Sequence, residues 1–144
     1  MQYMHWRRGA SGFVPEKEAK YFIDYKMVDY LMVIKGEMIG VSVTRAVSYP
    51  FEIEFSLERA RLLVNKKLYG LVVARECICE EHCFVKCILH VWCMTIGAAR
   101  NVETAFNELV AVDMAPGGPM SYEDVSLVCT ICTDRYIYTN YDTT

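Results

Sequence analysis

EMIGVSVTRA, residues 37–46, has the pattern of a β-strand. Its residues alternate in character as those of a half-buried strand do, because successive side chains of a strand point to opposite faces. One face would carry Ile39, Val41 and Val43, and the other would carry Gly40, Ser42, Thr44 and Ala46. The second face is small and partly polar, so it suits the close packing of a helix or a functional site.

The segment before this strand predicts a hairpin partner. DYLMVI, residues 29–34, is a compact apolar run that begins at Asp29. Lys35–Gly36 follows it as a two-residue turn, although Asn–Gly would be the stronger turn signal. The two runs therefore predict an antiparallel pair of strands with Asp29 at its start.

Helices are predicted on both sides of the hairpin. Pro15 at a first helical position, with Glu18 in the first turn, indicates a helix over residues 15–27. Ser56 is a good N-cap for a second helix over residues 57–68. The apolar stripe of that second helix comprises Leu57, Ala60, Val64 and Leu68.

The rest of the chain extends the sheet. Gly70 would stop the second helix, and residues 69–77 are predicted to form a buried strand. Two further strands are predicted over residues 84–93 and 124–133, with a third helix between them. The order αββαββαβ predicts an α/β (α+β) fold in which a single mixed β-sheet is flanked by helices.

The composition is that of one folded domain. The chain has 144 residues, 53% of them hydrophobic, and a mean hydropathy of +0.15. No apolar run reaches the roughly 18 residues of a membrane helix, so we expect no membrane association. A single domain over residues 1–144 would contain an irregular segment (1–14), a core (15–77), and a sheet extension with the third helix (78–144).

Seven cysteines and the absence of an apolar leader favour reduced thiols. We therefore expect a reducing intracellular compartment, either cytoplasmic or nuclear. One cluster has a spacing that zinc could use, but we favour reduced thiols there, and we discount Cys129-x-x-Cys132 because the pair lies in a strand. The cluster comprises Cys77, Cys79, His82, Cys83 and Cys87.

The order of elements over residues 15–77 resembles the core of the PD-(D/E)XK, or restriction-endonuclease-like, superfamily. In that family a helix often carries a glutamate, and a hairpin supplies an aspartate and a carboxylate-x-lysine strand. The resemblance makes Glu18 the helical glutamate and Asp29 the aspartate. Ser42 and Thr44 then occupy the carboxylate and lysine positions, so the motif is degenerate or rearranged.

The resemblance also implies where the missing charges would lie. A family variant reads S-x-K and moves the carboxylate onto the following helix, where Glu58 is the candidate, although a solvated glutamate is the simpler interpretation. Glu58 falls roughly 115° from the middle of the apolar stripe, so it would reach a site only at the edge of the sheet. Lys66 or Lys67 would replace the lysine, or Arg45 would take its role from the other strand face.

Magnesium is the cofactor that the resemblance implies. Phosphodiester hydrolysis needs neutralised phosphate charge and an activated water, and Mg²⁺ supplies both through oxygen ligands. The predicted metal ligands are Asp29, Glu18 and Glu58, with Glu37 and Glu54 as further candidates to join Asp29.

A local basic patch is the candidate nucleic-acid surface. The formal net charge is −3, so the whole surface does not attract nucleic acid. The predicted contacts are Arg45, Arg59, Lys66 and Lys67. A solvated helix face is the alternative interpretation for the lysines. His90 lies among apolar residues of a strand, so we predict a core histidine with a hydrogen-bond partner and not a catalytic one.

Three functions therefore remain open, and one of them is an interaction protein with no relationship to nucleases. The first is a nuclease-like domain that acts on or binds nucleic acid, with Mg²⁺-dependent hydrolysis at a rearranged site comprising Asp29, Ser42, Thr44, Glu58 and Lys66. The alternative is a catalytically inactive protein of nuclease fold that serves as a structural or protein-interaction subunit. Either form is compatible with a homo-oligomer or with a larger protein complex.

Overall fold

The computed structural model describes residues 10–15, 29–77 and 83–139. They form a mixed α/β fold in which four strands make up most of one sheet and a fifth, Ala10–Pro15, pairs at its edge. In chain order the strands are β1 (Ala10–Pro15), β2 (Tyr30–Ile34), β3 (Glu37–Ala46), β4 (Lys86–Cys93) and β5 (Val125–Ile131). The helices are α1 (Leu57–Cys77), α2 (Ile96–Met114) and α3 (Tyr136–Thr139).

The strands lie in the sheet in the order in which they occur in the chain. β1, β2 and β3 are antiparallel neighbours, whereas β3, β4 and β5 run parallel. The helices α1 and α2 make the two crossovers between the parallel strands and pack on the same face of the sheet. No helix in the described ranges is long and apolar enough to cross a bilayer.

The predicted hairpin is confirmed. Tyr30 pairs with Val41 and Ile34 with Glu37, which leaves a two-residue turn at Lys35–Gly36. Both turn residues have positive φ, 51° at Lys35 and 84° at Gly36. Two positive φ values give a turn whose twist matches that of the strands, and this explains how the short connection closes.

The predicted strand over residues 69–77 is wrong, because α1 continues through Gly70 to Cys77. Leu71 and Ala74 are fully or almost fully buried and extend the apolar stripe at helical spacing. Glycine inside a helix costs about 1 kcal/mol relative to alanine, whereas burying one leucine contributes about 1.5–3 kcal/mol. Packing therefore overrides the glycine, and the predicted order αββαββαβ fails at this point.

The N-terminal boundary also differs from the prediction. The prediction of an irregular segment over residues 1–14 is wrong at its end, because Ala10–Pro15 forms β1 and pairs with β2. Pro15 ends this edge strand, where its missing N–H costs little. The predicted helix beyond it, including Glu18, lies outside the described residues.

The main core lies between the helices and one face of the sheet. Ser56 caps α1 as predicted, since its Oγ accepts a hydrogen bond from the Arg59 N–H at 3.2 Å. The predicted stripe is also confirmed: Ala60, Val64 and Leu68 are at most 1% exposed. They belong to one cluster with sheet residues that include Leu31, Leu89 and Val91.

The small-residue face of β3 packs closely, as the sequence predicted. Gly40 lies under the buried ring of Phe84, and a Cβ atom built on Gly40 would stand 2.5 Å from that ring. Apolar residues cluster on the opposite face of the hairpin, where Met32 and Val41 are fully buried.

Two charged side chains, one buried and one partly buried, form hydrogen bonds from the helices to the backbone of the loops. The Arg75 guanidinium, late in α1, donates to the carbonyl oxygens of Val85, Ser121 and Glu123. The Asp113 carboxylate, late in α2, accepts from the backbone N–H groups of Ser121 and Tyr122. The two side chains thus fix the connection that leads into β5.

Candidate functional site

The candidate site lies where the β2–β3 hairpin ends. β2 begins at Tyr30, opposite Val41, so the last residues of β3 extend beyond it. There the Asp29 carboxylate accepts a hydrogen bond from the Val43 N–H at 2.5 Å, and the Asp29 N–H donates to the Val41 oxygen at 2.9 Å. Asp29 therefore takes the place of a strand partner at the exposed edge of β3.

A cavity of about 680 Å³ opens beside this edge. Because it lies at the end of the hairpin, it receives side chains from both faces of β3. Its lining residues are Asp29, Val43, Thr44, Arg45, Val47, Tyr49, Lys67, Trp92 and Ile137.

Two cations and one carboxylate meet in this cavity. Arg45 lies beside Trp92 because β3 and β4 are parallel and in register at these residues. Lys67 comes from α1, one residue before the buried Leu68, and is half-buried. With Asp29 as its counter-charge, the lining contributed by the described residues carries a net positive charge, which suits an anionic ligand.

Aromatic rings form another part of the lining. Tyr49 is 55% exposed, yet its hydroxyl donates a hydrogen bond to the backbone oxygen of Tyr138. The Trp92 ring lies 5.3 Å from the ring of His90. The cavity thus combines cations with aromatic surface, a combination that proteins use to bind nucleic-acid strands.

His90 packs against Trp92 but does not itself line the cavity. Its Nε2 lies 2.8 Å from the hydroxyl oxygen of Thr130, and the side chain is buried. Burial lowers the pKa of the imidazole, because desolvation disfavours the charged ring. The prediction of a core histidine with a hydrogen-bond partner is therefore confirmed.

The structure brings some of the predicted site residues together and separates others. Asp29, Thr44, Arg45 and Lys67 all line the cavity. Ser42 is half-buried in β3 and does not line it, while Arg59 and Lys66 are exposed on α1.

Glu58 lies at a different place on the molecule. It lines a second cavity, of about 400 Å³, between α1 and α2. Its side chain is 78% exposed and forms an ion pair with Arg61 at 3.4 Å. Glu58 faces the helix pair rather than Asp29, so its predicted roles as migrated carboxylate and metal ligand are not supported by its position.

The predicted magnesium ligands do not converge within the described part of the chain. Mg²⁺ needs several oxygen ligands in octahedral geometry. Asp29 is the acidic residue that the described lining contributes, whereas Glu37 is paired with Lys86 at 2.8 Å at the other end of β3. Across residues 10–15, 29–77 and 83–139 no three His, Cys, Asp or Glu side chains are placed to hold a metal ion.

The predicted cysteine cluster is only partly described. Cys83 is exposed, whereas Cys87 is 1% exposed within the core under the helices. Burial raises the pKa of the Cys87 thiol to about 11, so the free thiol is protonated near neutral pH. Cys79 and His82 lie outside the described residues.

Trp92 and Tyr49 are site residues that the sequence did not assign to the cavity. Trp92 lies beside Arg45 because β3 and β4 are adjacent. The sequence pattern places a strand over residues 69–77 between them, so it could not predict this pairing. Tyr49 lies in a loop after β3, and no periodicity marks it.

The described residues form a mixed α/β domain. Basic and aromatic side chains line a cavity at an edge of its sheet. No family model matches the chain, and no solved structure matches it. The chain is 32% identical over 83 residues to the "AAC-rich mRNA clone AAC4 protein" of Dictyostelium discoideum. The match covers 54% of this chain and 12% of that protein.

Proposed function

We propose that this chain binds nucleic acid in the cavity at the end of β3, through Arg45 and Lys67, without hydrolysing it by a resident metal. The observation that carries the proposal is the placement of both cations in one cavity of about 680 Å³ together with two aromatic residues. Phosphate groups supply the charge that these cations match, and arginine in particular binds phosphate with two parallel hydrogen bonds.

Nucleic acid would have to be bound by the cations of the cavity and not by the charge of the whole surface. The formal net charge of the chain is −3, so its overall field opposes a polyanion. A cavity that concentrates two cations offsets this repulsion at close range, where salt screens the rest of the surface. Affinity should therefore fall with added salt, since released counterions contribute most of the binding free energy.

The resemblance to PD-(D/E)XK nucleases supports a nucleic-acid ligand. It implies a hairpin followed by a helix, and β2–β3 and α1 occur in that order, although the further strand that it placed over residues 69–77 is part of α1. Its chemistry, however, needs carboxylates that converge on a metal. Glu58 is directed toward α2 and Asp29 carries a backbone hydrogen bond, which favours a nuclease-like protein that binds without cutting.

Neighbouring lysines allow a matched test of this proposal. Lys67→Ala removes a cation from the cavity, whereas Lys66→Ala removes the same charge from an exposed position beside it. In fluorescence anisotropy with a labelled oligonucleotide, Lys67→Ala is expected to weaken binding about tenfold, which corresponds to ~1.4 kcal/mol. It should also lower the slope of log affinity against log salt by about 1.

Lys66→Ala is the control for this experiment. Lys66→Ala should change the affinity less than about twofold, because Lys66 does not line the cavity and its exposed charge is screened by salt. Equal losses in the two variants would mean that general charge, not this cavity, attracts the oligonucleotide. Absence of binding by the wild type would overturn the proposal.

A protein-interaction subunit is the second candidate function. The cavity between α1 and α2 exposes Leu62 and Val112, which are 70% and 72% accessible. Glu58, Arg61 and Glu108 border the same surface. An apolar patch with a charged rim is typical of a protein contact. This candidate takes precedence if the wild type binds no oligonucleotide.

A further inference from the structure

A row of aromatic and cationic side chains leads out of the cavity. Tyr49 belongs to the cavity lining, and its ring centroid lies 5.1 Å from that of Phe51 with the planes tilted by 52°. The Arg135 guanidinium carbon lies 5.0 Å from the Phe51 ring centroid. We call Tyr49, Phe51 and Arg135 the aromatic row.

Tyr49 is held in place although much of its ring is exposed. Its hydroxyl donates to the backbone oxygen of Tyr138, a fully buried residue whose own hydroxyl donates to the Cys132 oxygen at 2.7 Å. The loop that carries Tyr49 is closed by a hydrogen bond from the Ser48 hydroxyl to the Glu54 oxygen at 3.3 Å. The ring is therefore fixed before a ligand arrives, and little conformational entropy is lost on binding.

An exposed and fixed aromatic ring suits one kind of contact with nucleic acid. Bases in a duplex stack on their neighbours and present their edges to a protein, whereas an unpaired base can stack on an aromatic side chain. Stacking of this kind is tolerant of sequence, because every base has an aromatic face.

The cations lie near the exposed ring of Tyr49. Lys67 and Arg45 line the cavity with Tyr49, and Arg135 extends the positive charge along the aromatic row. Glu52 approaches Arg135 at 4.0 Å, but both side chains are more than half exposed, so the pair is screened by solvent. This region therefore offers cations for the phosphates of a nucleic-acid strand and an aromatic ring for its bases.

We infer that the ligand of this cavity is single-stranded nucleic acid, with an unpaired base stacked on Tyr49 while Lys67 and Arg45 contact the phosphates. The inference rests on the proposed function and narrows it to one substrate class. A duplex has no free base face for Tyr49 and should gain only from the cations.

The test compares one labelled oligonucleotide, single-stranded and annealed to its complement, at fixed low salt. The wild type should bind the single strand about tenfold more tightly than the duplex. Tyr49→Ala should weaken single-strand binding by roughly five- to tenfold and leave duplex binding within about twofold, because it removes the stacking surface and leaves Lys67 and Arg45 in place. Tyr49→Phe loses the hydroxyl and keeps the ring, so it should retain most of the preference.

The outcomes separate this inference from the proposed function. Equal affinity for the two forms, or an unchanged single-strand affinity in Tyr49→Ala, would overturn the inference while a Lys67-dependent interaction still supports the proposed function. Lack of binding to both forms would overturn both. If Tyr49→Ala does not fold by circular dichroism, Tyr49→Leu keeps an apolar side chain without the aromatic face and should show the same loss.

Discussion

Asp113→Ala is expected to destabilise the fold by about 3 kcal/mol. The side chain is 4% exposed, and its two oxygens accept hydrogen bonds from Ser121 N–H at 3.0 Å and from Tyr122 N–H at 2.9 Å. Hydrogen bonds to a charged group contribute about 1.5–3 kcal/mol each, and the alanine variant leaves both donors without this partner. The carboxylate is retained in the last turn of α2, where the helix dipole disfavours it, so these bonds account for its presence.

Urea denaturation followed by circular dichroism measures this loss. Asp113→Asn keeps one acceptor oxygen and should lose about half as much stability. Glu103→Ala, an exposed carboxylate on the same helix, should change stability by less than about 0.5 kcal/mol. Equal stabilities for Asp113→Ala and Glu103→Ala would show that the Asp113 contacts do not fasten the connection into β5.

Gly40→Ala is the second large expected loss, at about 2 kcal/mol. The added Cβ would stand 2.5 and 2.7 Å from atoms of the Phe84 ring. That ring is 2% exposed and packed in the main core, so it cannot move aside without disturbing its neighbours. Overpacking of this kind costs about 1–3 kcal/mol.

Gly70→Ala is the matched control for Gly40→Ala. A Cβ atom on Gly70 meets nothing within 4 Å, and the residue lies inside α1. Alanine there should therefore stabilise the protein by about 0.5–1 kcal/mol in the same urea experiment. A loss of stability in Gly70→Ala would contradict the continuation of α1 through Gly70, and a Gly40→Ala variant as stable as the wild type would contradict the close approach under Phe84.

Local patterns predicted the hairpin and the first part of α1 because the physical cause of each is itself local. The β2–β3 turn depends on two adjacent residues, and the start of α1 depends on Ser56 and a stripe of spacing near 3.6 residues. The end of α1 depends on burial of Leu71 and Ala74 against the sheet, which no short window reveals. A glycine followed by Leu71, Val72 and Val73 fits a buried strand equally well by periodicity alone.

The sequence predicted part of the lining of the candidate site. Asp29, Thr44, Arg45 and Lys67 could be proposed from a resemblance and from their order in the chain, and they line one cavity. Thr44 and Arg45 lie on opposite faces of β3 and nevertheless line one cavity, because a cavity at a strand edge receives side chains from both faces. Glu58 could not be placed, because the direction of a helical side chain depends on how the helix lies on the sheet.

On the proposed function, the cations of the cavity hold nucleic acid without a metal bridge through Asp29. The affinity of Asp29→Asn for a labelled single strand, measured in EDTA and in Mg²⁺, tests this. Asparagine keeps an acceptor for the Val43 N–H and removes the negative charge. We predict intact binding by the wild type in EDTA and equal or about twofold tighter binding by Asp29→Asn, because a repelling charge is lost. Binding that requires Mg²⁺ and disappears in Asp29→Asn would contradict the account.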